Sequence, residues 1–167
     1  RLKIGNSLEE IQRLVEEEGA EGLYHLGQLV GCVKRAHDID ANLSAHVMHE
    51  NLVSKASSVL ALLNVIHVTG IDRNQVEYVI DCAEEACGDI NQRGGGNFAQ
   101  SAAEIAGLNN ASGSDCRAFC AAPAHAMIEA AALVASGAYH TVVVTAGGCT
   151  AKLGMNGKDH VKKGLPA

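Results

Sequence analysis

A chain of 167 residues, 47% hydrophobic with 18 glycines and no tryptophan, is long enough for one domain with a real core and has the composition of an alanine-rich α/β protein. Its net charge of −6 leaves no nucleic-acid footprint, no run is read as reaching the ~20 apolar residues that span a bilayer, and no signal-peptide pattern opens it. Six cysteines (Cys32, Cys82, Cys87, Cys116, Cys120, Cys149) sit in apolar or strand-end contexts, so a reducing, cytoplasmic setting is expected rather than a disulfide framework.

Ser7 opens the first helix with Glu10 at the capping-box position, and Leu8, Ile11, Leu14 and Val15 form its apolar stripe. Glu16, Glu17 and Glu18 crowd its negative end before Gly19 stops it. A second helix is predicted over residues 21–37, with Leu23, Leu26, Val30 and Val33 on one face. Residues 1–50 are therefore grouped as a helical extension, and residues 51–167 as the main domain. Asp40 is a candidate cap for a long helix that reaches Thr69 and breaks near residues 48–51; Gly70 closes it. His46 and His49 share a face there but lack a third metal ligand. The Cys82–Cys87 and Cys116–Cys120 spacings also differ from those of paired zinc ligands, and no metal or cofactor is expected.

Asp72 begins a capped turn, and residues 77–82 read as a strand. Glu84, Glu85 and Asp89 follow at its carboxyl end, where open α/β sheets place ligands. They read either as acid–base groups or as a solvated acidic loop. Gly94, Gly95, Gly96 and Asn97 open a helix over residues 98–106, stopped by Gly107. Glycines there can admit an anion to the helix amides, or mark a tight turn. No Lys-Ser/Thr pair follows, which excludes a P-loop.

Residues 112–148 organise the rest. Residues 114–119 read as a strand and Cys120 follows directly. Residues 121–136 form an alanine-rich helix whose Met127, Ile128, Leu133 and Val134 make it apolar nearly all round, so it is expected to be buried among neighbours. Pro123 is tolerated in its first turn, and Gly137 stops it. Residues 141–145 are a buried strand ending at Gly147 and Gly148. Strand, helix and strand alternate after residue 50, which is the pattern of an α/β fold with a largely parallel sheet. Cys120 thus lies at the mouth of a helix, where unpaired amides and the macrodipole favour a thiolate and could stabilise an oxyanion. The other reading is a small buried hydrophobe. His125 has the side chain of a base, but its offset from Cys120 exceeds one turn. Lys158, His160, Lys162 and Lys163 form a basic tail suited to phosphate or an acidic partner, or a solvated end.

The run Asp115-Cys116-Arg117-Ala118-Phe119-Cys120, the helix, Ser136-Gly137-Ala138 and the strand after it resemble the nucleophile region of thiolase-fold enzymes, which include thiolases and the ketoacyl synthase III group. GIDRNQVEYVI, residues 70–80, resembles the approach to the sheet in the same families. CAEEACGDINQRGGGNFAQ (residues 82–100) and AKLGMNGKDHVKKGLP (residues 151–166) are more particular. They resemble the component C beta subunits of glycine/sarcosine/betaine reductase complexes.

The resemblance implies the first half of a thiolase-like fold: a parallel-rich sheet with a buried helix after the nucleophile cysteine, plus the N-terminal helical extension. It implies that Cys120 takes up an acetyl group, with Asn97, Phe119 and Gly148 binding substrate. It further implies a component C alpha subunit and a selenoprotein as partners, an acyl donor, a homodimer, and acetyl phosphate as product. The catalytic His and Asn (or second His) of such enzymes come from a second half. With Arg1 at its start and Ala167 at its end, the chain is expected to be an N-terminal-half piece, inactive alone. Ala121-Ala122-Pro123 stands where ketoacyl synthases carry a small residue, Gly and Phe, and the small-residue signature of thiolases is absent too. A ketoacyl synthase III-like condensing enzyme using coenzyme A or acyl carrier protein is one alternative. A non-catalytic assembly scaffold is another.

Overall fold

The computed structural model describes residues 5–83, 97–149 and 163–164. Two compact units divide the chain, residues 1–50 and residues 51–167.

In the first unit, α1 (Leu8–Glu17) starts where Ser7 Oγ accepts the Glu10 amide at 3.2 Å. The Glu10 carboxylate is held by Arg13 at 2.8 and 3.0 Å. Leu14 is the buried anchor of the helix. Next come β1 (Glu21–His25) and β2 (Gln28–Val33), paired antiparallel with a register shift between Leu23 and Tyr24. The helix expected over residues 21–37 is therefore corrected to a β-hairpin. Leu26 and Gly27 both have positive φ, 49° and 78°, the geometry of a two-residue hairpin turn whose twist matches that of the strands. Gly22, Gly27 and Gly31 would each weaken a helix by about 1 kcal/mol. The extension is thus mixed rather than helical throughout.

A 3-10 turn at Ala41–Leu43 leads into α2 (Ala45–Thr69). Asp40 serves that turn through its carbonyl, which accepts from the Leu43 amide at 3.0 Å. Ser44 stands before α2, its Oγ facing the Val47 amide at 3.5 Å. The break expected at residues 48–51 is absent, and α2 runs unbroken for 25 residues. That makes it long and apolar enough to cross a membrane by length and composition, so the expectation of no such run does not stand. Val59, Leu62 and Ile66 of this helix are nonetheless buried in the core of the second unit.

That unit is built on three parallel strands in the order β4-β3-β5: β3 (Tyr78–Asp81), β4 (Ser112–Asp115) and β5 (Val142–Thr145). It is the α/β class with a parallel sheet that strand–helix alternation implied. Side chains alternate across β3 as strand geometry requires. Val79 and Val143 face α2 and α3 (Phe98–Ala106), and their cluster includes Leu62, Ala102 and Leu108, all nearly or fully buried. Ile80 and Cys82 face the opposite side, packing with Ala122 and Ala126 of α4 (Ala122–Ala135).

The expectation that α4 is buried all round is corrected. Ala122 and Ala126 are its buried residues, whereas Met127 (62% exposed), Ile128 (69%) and Val134 (45%) face outward. Among the described residues the sheet covers one side of this helix only.

Candidate active site

The parallel register sets Asp81, Asp115 and Thr145 level across the carboxyl edge of the sheet. Asp81 is fully buried on β3. Its Oδ1 accepts from Ser58 Oγ of α2 at 2.6 Å, and its Oδ2 accepts from the Arg117 guanidinium at 3.0 Å. Arg117 also donates to the Ala83 carbonyl at 3.1 Å and to Asp115 Oδ2 at 3.0 Å. Asp115 in turn accepts the Phe98 and Ala99 amides at 3.0 and 2.9 Å, so a carboxylate from β4 sits on the positive end of α3. The Phe98 ring lies under Arg117 at 5.5 Å and near Lys55 at 5.7 Å. A buried carboxylate needs such partners, because an unpaired charge in this setting would cost several kcal/mol.

Thr145 closes the edge on β5. Its Oγ1 donates to the Ser58 carbonyl at 3.0 Å, and its own carbonyl accepts from the Cys82 amide at 2.8 Å and Cys82 Sγ at 3.3 Å. Burial first, and then the neighbouring Asp81, push the Cys82 thiol up from its ordinary range, so it remains protonated at neutral pH. Gly147 then passes directly over α2. A Cβ there would lie 2.4 Å from the Ser58 nitrogen and 2.5 Å from the Ser54 carbonyl oxygen.

The segment between β4 and α4 carries Cys120. The Cys116 amide extends the ladder by donating to the Asp81 carbonyl at 2.9 Å. Phe119 adopts φ 49° and is 74% exposed, and a 3-10 turn at Phe119–Ala121 leads into α4. Cys120 is exposed within that turn, one residue before the α4 cap, Ala121. The Ala121 amide donates to the Ala118 carbonyl at 3.1 Å, and the Ala122 amide to the Phe119 carbonyl. Pro123 has no amide hydrogen. Two amides that a helix mouth would offer an anion are thus engaged inside the turn, and the positive end of the α4 macrodipole begins two residues after Cys120.

The other sequence candidates stand in different states. Asn97 caps α3: its Oδ1 accepts the Gln100 amide at 2.8 Å and its Nδ2 donates to the Gly113 carbonyl at 2.7 Å. Both ends of its amide are therefore committed. Gly148 is bound to Ser57, whose Oγ accepts from its amide at 2.8 Å and faces its carbonyl at 3.3 Å. His125 is exposed on α4. His46 faces Glu50 at 3.0 Å in the first unit, and no group of three metal-ligating side chains gathers among the described residues. Glu84, Glu85, Asp89, Cys87, the glycines at 94–96 and the basic residues 158, 160 and 162 lie outside the described residues.

Asp81, Arg117 and Ser58 were not singled out from sequence. The available signals were a carboxylate ending an apolar strand and serines set into an apolar helix.

No family model matches the chain. Over 165 residues, 99% of its length, it is 62% identical to the glycine/sarcosine/betaine reductase complex component C subunit beta of Peptoclostridium acidaminophilum. It spans 32% of that protein, about a third of its length. The crystal structure of the priming β-ketosynthase from the R1128 polyketide biosynthetic pathway matches with a TM-score of 0.47 and 26% identity, covering 55% of this chain and 27% of that one. The likeness read from residues 82–100 and 151–166 thus extends along nearly the whole chain.

Proposed function

We propose that this chain supplies the nucleophile region of an acyltransferase component in a glycine/sarcosine/betaine reductase complex, with Cys120 holding an acetyl group as a thioester. The observation that carries this is an exposed cysteine in the turn that opens α4, at the carboxyl edge of a parallel sheet. In the capture step the Cys120 thiolate forms a C–S bond to the acetyl carbonyl carbon, and the donor's leaving group departs with the electron pair of the broken bond. Phosphate then attacks the thioester carbonyl, the C–S bond breaks, and acetyl phosphate and the thiolate result. No electrons are gained or lost in either step.

Phe119 offers its exposed ring as the substrate contact beside Cys120. Asn97 and Gly148 frame the site through the loops they pin, because their polar atoms already serve α3 and Ser57. The component C alpha subunit and the selenoprotein are the proposed partners. A homodimer is the proposed assembly, with residues 51–167 as the thiolase-like half domain and residues 1–50 as its appendage. A reducing, cytoplasmic setting would keep Cys120 as a thiol.

The engaged amides of Ala121 and Ala122 favour a second reading, a scaffold without chemistry. One experiment separates the two. The intact polypeptide is incubated with acetyl phosphate and digested, and the adduct is located by mass spectrometry. Acetyl on Cys120, lost in Cys120→Ser, is expected. No adduct, together with iodoacetamide reactivity equal to that of a small-molecule thiol from pH 6 to 8, would establish the scaffold.

A further inference from the structure

We propose that Arg117 is a positioning residue for Cys120, its guanidinium clamping the turn that presents the sulfur. The inference rests on the nucleophile reading of Cys120 and adds the group that sets its geometry.

Phe119 has φ 49° in the position just before Cys120. For a bulky aromatic residue this is an outlier, costing about 1–3 kcal/mol, and it persists only where the surroundings over-determine it. Packing of Phe119 does not hold the kink, because the residue is 74% exposed. The two flanks do. Downstream, the Ala121 and Ala122 amides close the 3-10 turn, and Ala122 and Ala126 are buried under the sheet.

Upstream, Arg117 reaches three acceptors on two segments: Asp81 at the end of β3 with Ala83 just beyond it, and Asp115 at the end of β4. Two carboxylates already face the guanidinium, so its influence on Cys120 passes through backbone position rather than as a counter-charge. Asp115 also holds the first amides of α3, which ties the loop bearing Asn97 to the same clamp.

The test measures acetylation of Cys120 by acetyl phosphate over a range of donor concentrations in the intact polypeptide. Arg117→Ala is expected to lower the maximal rate by about 100-fold while the half-saturating donor concentration holds, since misplacing a reacting atom by ~1 Å costs that much. Arg117→Lys regains part of the rate, because an ammonium lacks the planar fork that meets all three acceptors. Phe119→Gly removes the strain, so its unfolding midpoint holds or rises while the rate falls.

A folded Arg117→Ala protein whose rate stays within about twofold of wild type overturns the proposal. Should that variant fail to fold, Arg117→Lys decides the matter by the same criterion. A wild-type protein that takes no acetyl group defeats the nucleophile reading alone. Iodoacetamide labelling of Cys120 across the same variants then judges the clamp: altered rates uphold it, and equal rates overturn it.

Discussion

Replacing Gly147 by alanine puts a methyl group into the closest backbone crossing at the site edge. The new Cβ would meet the Ser58 nitrogen and Oγ at 2.4 Å and the Ser54 carbonyl oxygen at 2.5 Å. Ordinary contact needs about 3.5 Å, so the strand end and α2 must part by about 1 Å. Ser58 Oγ is held at 2.6 Å from Asp81 and so cannot simply rotate away. Parting by that amount takes the bonds from Thr145 Oγ1 to the Ser58 carbonyl (3.0 Å) and from the Gly148 amide to Ser57 Oγ (2.8 Å) out of range. Each lost bond costs about 1 kcal/mol, and overpacking adds roughly 1–3 kcal/mol. Lower unfolded-chain entropy returns about 0.5 kcal/mol, so the net destabilisation is about 3 kcal/mol, which lowers Tm by about 10 °C in a chain of this size.

Thermal and urea unfolding of Gly147→Ala and of Gly148→Ala measure it. Nothing lies within 4 Å of a Cβ at Gly148, and the expected cost there is under about 0.5 kcal/mol. Equal stabilities for the two variants would refute the reasoning.

Ser58→Ala removes the hydroxyl from a fully buried carboxylate and is expected to cost about 2 kcal/mol in urea unfolding. The amides of His140 and Thr141, donating to Glu77, hold its carboxyl below the usual value of 4.5. A lowered folded-state pKa gives stability that is present above about pH 4.5 and lost as pH falls through the folded value; Glu77→Gln should flatten that acid limb. The Cys82 thiol is raised above 9.0, so its contribution is full below about pH 9 and declines as the unfolded chain ionises first. Unfolding midpoints measured from pH 8 to 10.5 should fall less steeply in Cys82→Ala.

Caps were readable because they are local. Ser7, Asp72 and Asn97 each serve an amide two or three residues ahead, and all three take the places that their side chains announced. The helix after Cys120 and the strand that follows it were readable for the same reason, since an alanine-rich run and a β-branched run differ in period. The strand expected over residues 114–119, by contrast, is corrected to Ser112–Asp115, with Cys120 in a 3-10 turn rather than directly after it. The hairpin was missed because Leu23, Leu26, Val30 and Val33 fall at helical spacing, and only the turn geometry at Leu26-Gly27 settles the matter. The exposed side of α4 was also unreadable, because apolar residues all round a helix report what it can bury against and not what covers it. The clamp joins Arg117 to Asp81 across 36 positions of sequence. Charges that far apart meet only once strand register is known.

The central strand is four residues long and is gripped at both extremities by different chemistry. Just before its first residue, Glu77 holds the loop that leads into β5 through the backbone of His140 and Thr141. Its last residue, Asp81, is paired with the Arg117 guanidinium. Acidification that protonates Glu77 therefore loosens the loop before β5, at the extremity farthest from Cys120. Amide exchange that rises at residues 140–142 as pH drops, and does so less in Glu77→Gln, would be its signature.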